Sequence, residues 1–448
     1  MIIFKIYRTI LSFAFLSSLL LSCTTNSELP ISTLSGEIEW QKTFGGSGDD
    51  VARGIIETND GGYAVIGHTN SVNGDIIDKE NEENDFWVLK LDINGNVEWN
   101  RTYGGSGDDI GRAIIQTLDG GYAITGPSKS ADGDASNNQG QHDHWLVKLD
   151  SKGTIQWEKS YGFAGHDHSH SLFQTDDGGY FIGGYLDVDG SNGLGNETVN
   201  TKHGVGEFWA QKLDTNGNLE WRRYFGGTNN DRIYKVLKAH DGNFLLVGST
   251  ESNDSDISNS NGSYDFWVVK IDTEGKMLWQ KTYGGSGIDD AYAAVATVDG
   301  NYIIVGSAIS NDGNISSSNG NSDYWVIKIN DSGDLLWEKS YGGSSFDASF
   351  AIAKSQNIFS SYLIAGNSKS NDGDVIKNNG ENDFWIIKID EDGNLLWEKS
   401  LGGSGLDFAY GIVGTSDQKM VVVGETESND KDISSNKGKK DIWIVKIK

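Results

Sequence analysis

Two prolines, one cysteine and three methionines are all that 448 residues hold of these types, and each scarcity excludes something. A single cysteine, Cys23, rules out an internal disulfide, so packing and hydrogen bonding must hold the fold. With only Pro30 and Pro127, nearly every backbone N–H is free to serve a sheet ladder. Positive charge is also thin: 36 Lys and Arg stand against 64 Asp and Glu, a net charge of −28. Such a field repels nucleic acid and anionic lipid, leaving cationic ligands, divalent ions and neutral glycans or proteins. After residue 22 no segment approaches the roughly 20 apolar residues of a membrane helix, and no helical periodicity appears. Nucleophile motifs, phosphate loops and nicotinamide fingerprints are absent as well; the Gly-Gly-Ser-Gly loops lack the following helix that phosphate binding needs.

The one long apolar run, Ile10 to Leu21, follows Lys5 and Arg8 and predicts a secretory signal over residues 1–22. Its end, Leu20-Leu21-Ser22-Cys23, resembles a bacterial lipobox. That resemblance implies cleavage before Cys23, attachment of a lipid such as palmitate to its thiol, and a membrane partner reached through lipid alone. Thr24 after the cysteine implies, by the sorting rules of such lipoproteins, delivery to the outer membrane, on its periplasmic or its cell-surface face. Removing Lys5 and Arg8 with the signal takes the net charge from −28 to −30. Residues 23–35 read as a flexible tether, and 36–448 as the folded domain.

All fourteen tryptophans fall into two interleaved series of seven. One is Trp40, Trp99, Trp157, Trp221, Trp279, Trp337 and Trp397; the other is Trp87, Trp145, Trp209, Trp267, Trp325, Trp385 and Trp443. Steps within a series are 58 to 60 residues, with one of 64. Each unit holds four short β-type segments, a to d, separated by Asn-Gly, Asp-Gly and Gly-Gly turns. Seven such units predict an all-β, seven-bladed propeller with four-stranded blades. The chain opens on a lone d segment, Gly36–Lys42, and closes on a c segment, Asp441–Ile447. Pairing these would close the ring and remove the exposed edges of an open array.

Positions repeated in every unit read as scaffold: the aspartate opening segment a (Asp50, Asp109, Asp167, Asp231, Asp289, Asp347, Asp407) and the lysine three after each second-series tryptophan (Lys90 through Lys446). The c–d turn, Asp92-Ile93-Asn94-Gly95-Asn96-Val97-Glu98-Trp99, has the form D-x-x-G-x-x-x-W, and near-copies follow. It is similar to the tryptophan-docking motif of quinoprotein-type propellers, including the outer-membrane assembly scaffold lipoprotein. The whole unit looks closer to bacterial surface lipoproteins built of β-propeller repeats. Quinoproteins have eight blades, and no pattern for holding the quinone is present.

The b–c and d–a loops are long and share one face, which is therefore the expected working face. Two constellations lie there. An acidic motif, Ser-Asn-Asp-x-Asp, supplies Asp254 and Asp256, Asp372 and Asp374, and Asp430 and Asp432. Hard oxygens at alternate positions would suit calcium as a cofactor, while the plain alternative is side-chain-capped Asx turns. The second constellation is His142, His144, His166, His168, His170 and His203, six of the eight histidines within 62 residues. The third unit also stretches its b–c span to 23 residues, where most have 17. Histidines two apart on a strand lie roughly 6.5–7 Å apart, so His166 and His168 could ligate one Zn²⁺ or Cu²⁺ ion. Lining of a ligand pocket and simple drift are the alternatives. The expected function is a non-catalytic binding or scaffold module for a glycan, peptide or protein; the competing class is a glycan hydrolase or lyase at the channel mouth near blade 3.

Overall fold

The structure, a computed structural model, describes residues 34–196, 203–356 and 360–448; Cys23 and the signal segment lie outside them. Twenty-eight strands form seven four-stranded antiparallel sheets, and no helix occurs among the described residues. Six blades take their strands consecutively from the chain. The seventh combines strands from both ends in the order Ile38–Phe44, Asp441–Ile447, Met420–Thr426, Asp407–Gly414. Closure is antiparallel, with Trp40 opposite Lys446 and Phe44 opposite Ile442, as the split repeat predicts. The innermost strands of successive blades touch round a complete circuit, enclosing a central channel.

Both tryptophan series have a packing reason. The second series is fully buried on strand c, where six of the seven rings meet the aromatic that precedes the tryptophan of the preceding blade, and Trp87 meets Ile442 instead. Phe86 meets Trp145 at 4.8 Å between centroids, Phe266 meets Trp325 at 4.5 Å and Phe384 meets Trp443 at 4.6 Å. The first series, half-exposed on outer strand d, docks on the c–d turn of the next blade. Trp279 donates to the carbonyl of Asp331 at 3.2 Å and covers Gly333, whose φ is +79°. This is the docking contact that the D-x-x-G-x-x-x-W resemblance implies.

The repeated polar residues are scaffold too. Six of the buried strand-c lysines meet acids at the a–b or c–d turns, as Lys90 does with Asp60 (2.9 Å) and Lys328 with Asp299 and Glu391 (both 2.8 Å). The strand-a aspartates form hydrogen-bonded corners: Asp407 accepts from Gly403 N at 2.7 Å and Ser428 Oγ at 2.8 Å.

Candidate functional site

Strand a begins at the long-loop face and runs down the channel wall. At six of the seven blade junctions the residue before strand c lies beside a residue before the next strand a, joined by a parallel bridge. At the junction of blades 2 and 3 those two residues are His142 and His166. Their Nδ1 atoms are 3.0 Å apart. His168 is the first residue of its strand (His168–Gln174), and its ring lies 4.9 Å from that of His142. One nitrogen from each of the three falls within a 4.8 Å group. The two predicted ligands thus come together, and His142 joins them from the neighbouring blade.

The geometry suits a metal. Three imidazoles converge at a channel mouth, and His142 offers Nδ1 to the group while its Nε2 lies 3.5 Å from Asp108 Oδ2. A carboxylate behind a ligating histidine orients the ring and strengthens it as a donor. The buried Nε2 of His168 has no hydrogen-bond partner. Burial, aided by the nearby His142 and Arg112, pulls His168 down to about 3, so at neutral pH the ring is uncharged, the form that a metal would need.

The other three histidines lie elsewhere. His144 is fully buried between blades 2 and 3, its ring 4.7 Å from Trp209 and its Nδ1 3.1 Å from Gln211 Oε1. It replaces the aromatic that Phe86, Phe266 and Phe384 supply at other junctions. His203 pairs with Glu207 at 3.3 Å and stands edge-on to Tyr224. Burial pushes the Glu207 carboxyl up to about 8, with His203 offsetting part of the shift. His170 faces down the channel.

The acidic motif acts as a loop clamp. Asp254 accepts from Thr228 N (2.9 Å), Asp372 from Ser344 N (2.7 Å) and Asp430 from Ser404 N (2.8 Å). Asp256, Asp374 and Asp432 accept from Gly226, Gly342 and Gly402 N at 3.2, 3.1 and 3.1 Å. Each pair ties its b–c loop to the preceding d–a glycine loop.

A further set of residues escaped the reading of the sequence. Three positions after each strand-a aspartate stand Arg53, Arg112, His170, Tyr234, Tyr292, Phe350 and Tyr410, and all seven line the channel. In six blades the register slips at this residue, leaving it unpaired. Such a β-bulge re-aims its side chain. The signal was present: among seven aligned units this position varies in chemistry while remaining large.

No family model matches the chain. It is similar to the "Regulatory protein FlaEY" of Caulobacter vibrioides, 22% identical over 378 residues. That match takes in 76% of this chain but spans only 38% of the relative. Among solved structures it is similar to the WD40 β-propeller domain of Doa1, with 13% identity, TM-score 0.51, and 92% and 97% of the two chains covered. It is likewise similar to a chain of the mitotic checkpoint complex, with 9% identity, TM-score 0.50, and 98% and 99% covered. These likenesses establish the propeller fold.

Proposed function

We propose that this protein is a non-catalytic binding module, anchored at the outer membrane by lipid on Cys23, whose long-loop face carries a transition-metal centre made by His142, His166 and His168. The observation that carries this reading is the convergence of three imidazole nitrogens, from two blades, within 4.8 Å at the channel mouth. Zn²⁺ and Cu²⁺ are the ions that an all-imidazole set favours. With three protein ligands the fourth position stays open, so the ion can take a donor group from a glycan, peptide or protein docked on that face. A binding role is also in keeping with a relative described as regulatory. The motif aspartates serve as amide acceptors, which supports a scaffold reading over a hydrolytic one.

The test is metal content and Zn²⁺ or Cu²⁺ titration of the purified protein. One tightly held equivalent is expected. The pair His142→Ala with His166→Ala should abolish it, while Asp254→Ala with Asp256→Ala should not. Chelation should lower the thermal midpoint of the wild type and of the aspartate variant but not of the histidine variant, because an ion that binds only the folded state stabilises it. Absence of a stoichiometric ion would sink the centre. The anchor is tested separately: the wild type should take up labelled palmitate and sediment with outer membranes, and Cys23→Ala should do neither.

A further inference from the structure

The channel below the histidine trio contains cations that the protein leaves without acidic partners. Acids outnumber bases 64 to 36, and strand-c lysines such as Lys90, Lys270 and Lys328 are each given carboxylates. Arg53 and Arg112 are not. Among the described residues neither guanidinium has an acid within 4.0 Å, and the buried Nε of each lacks a hydrogen-bond partner. Leaving a buried charge unpaired is costly, and a structural role would have been served by an apolar residue. Arg112 sits deep in the wall, and burial, with Arg53 beside it, lowers it to about 10; even so it remains a full cation.

The opposite side of the same ring is aromatic. Tyr234 and Tyr292 are 5.1 Å apart, Tyr292 and Phe350 5.0 Å, and Phe350 and Tyr410 5.5 Å. Arg53 closes the series by lying over the Tyr410 ring at 4.0 Å. Between the two halves is a cavity of about 420 Å³ open to the channel. That volume admits one small organic molecule. Guanidinium groups bind carboxylate and phosphate through paired N–H donors, and tyrosine walls take flat rings. In six of the seven blades the position that carries these groups is the bulged residue, and Arg112 holds the equivalent place in the remaining blade, so all seven side chains reach a common centre.

We infer that the channel ring is a binding site for a small anion bearing a flat aromatic ring, with the anionic group on Arg53 and Arg112 and the ring against Tyr234, Tyr292 and Phe350. The site adjoins the metal centre, because His168 also lines the cavity, but none of the seven ring residues belongs to the histidine trio, so binding is tested on metal-free protein. In a protein whose exterior is acidic, a cationic pocket inside the channel selects small anions that can pass the mouth and excludes polyanions.

Calorimetry on the chelator-treated full protein, in low-chloride buffer, tests this with benzoate, neutral benzamide and acetate as probes. Benzoate should bind saturably at one site, with a Kd on the order of 1 mM for so small a ligand. Benzamide and acetate should bind at least tenfold more weakly. Arg112→Gln should weaken benzoate tenfold or more, and Arg53→Gln with Arg112→Gln should abolish binding. Arg112→Lys, which keeps the charge but loses the paired donors, should fall between. Without ligand, Arg112→Gln should melt no lower than the wild type, since it removes an unpaired buried charge. Benzoate binding that is absent, matched by acetate, or unchanged in the double variant overturns the proposal, and so does a large loss of unliganded stability in Arg112→Gln.

Discussion

His142 and His144 are two residues apart and end in different chemistry. His142 stands at the end of a loop facing His166, whereas His144 is locked in the interface of two blades, fully buried. There it meets Gln211, which occupies a strand position held elsewhere by Leu89, Val269 and Ile387. One polar pair thus sits where other junctions have an aromatic and an aliphatic. Its satisfaction is partial, because His144 Nε2 and Gln211 Nε2 both lack partners. His144→Phe alone strands Gln211, and Gln211→Val alone strands His144, so each should cost about 1–3 kcal/mol. The double variant restores the apolar pattern and should recover at least wild-type stability. A double-mutant cycle from urea unfolding measures this, and additive losses would refute it. Metal binding should be unaffected throughout. The histidine cluster was legible as a cluster, but its division was not: which histidines meet depends on a bridge across two blades, and spacing along one strand does not report it.

At the scale of the element, the tryptophan spacing carried most of the fold, because a docking contact repeated seven times demands both a large ring and a glycine at fixed offsets. Gly333 shows why the glycine is needed. A Cβ there would lie 2.9 Å from Lys281 Cγ and 3.0 Å from the Trp279 ring, on a residue with φ +79°. Gly61, in an a–b turn, has nearly the same φ of +80° but nothing within 4 Å. Gly61→Ala should therefore show the conformational cost alone, about 1–2 kcal/mol. Gly333→Ala adds the displaced tryptophan and should cost visibly more, about 2–4 kcal/mol. Denaturant midpoints of the two variants decide it, and equal losses would mean that docking contributes little. The channel ring was not legible in the same way. Strand alternation assigns every second residue to the wall, and only the bulge brings the third residue after the aspartate to the centre.

Across the whole molecule, seven carboxylate pairs mark the seven junctions, and they set how the propeller responds to pH. The acid that opens strand c approaches the aspartate that opens the next strand a. A Cβ on Gly402 would lie 2.4 Å from Asp383 Oδ1 and 2.8 Å from Asp407 Oδ2, so both carboxylates converge on one glycine. Asp441 and Asp50 do the same at Gly45, and Asp85 and Asp109 at Gly104. The strand-a partner is satisfied by its corner in blades such as that of Asp407, whereas the strand-c acid keeps a buried oxygen unpartnered, Asp383 Oδ1 among them. Burial, with Asp407 adding to it, raises Asp383 to about 7; burial likewise takes Asp441 and Asp85 to about 6. In the unfolded chain such groups titrate near 4. The folded state therefore binds more protons above that value, and stability falls as pH rises through the folded values. Buried histidines act in the opposite sense: His144, lowered to about 4 by burial, must charge on unfolding, so its effect is complete by about pH 6.5. Between pH 6.5 and 8.5 the carboxylates act unopposed, and the thermal midpoint should drop across that interval. Asp383→Asn puts an N–H₂ where a protonated oxygen would donate to Asp407, and leaves the other position to accept from Asn379 N as Asp383 Oδ2 does. The variant should match the wild type near pH 6.5 and exceed it at pH 8.5, with a shallower decline between. Melting curves across that range check it, and a midpoint that holds level or climbs with pH in the wild type would show that the junction acids are ionised in the fold after all.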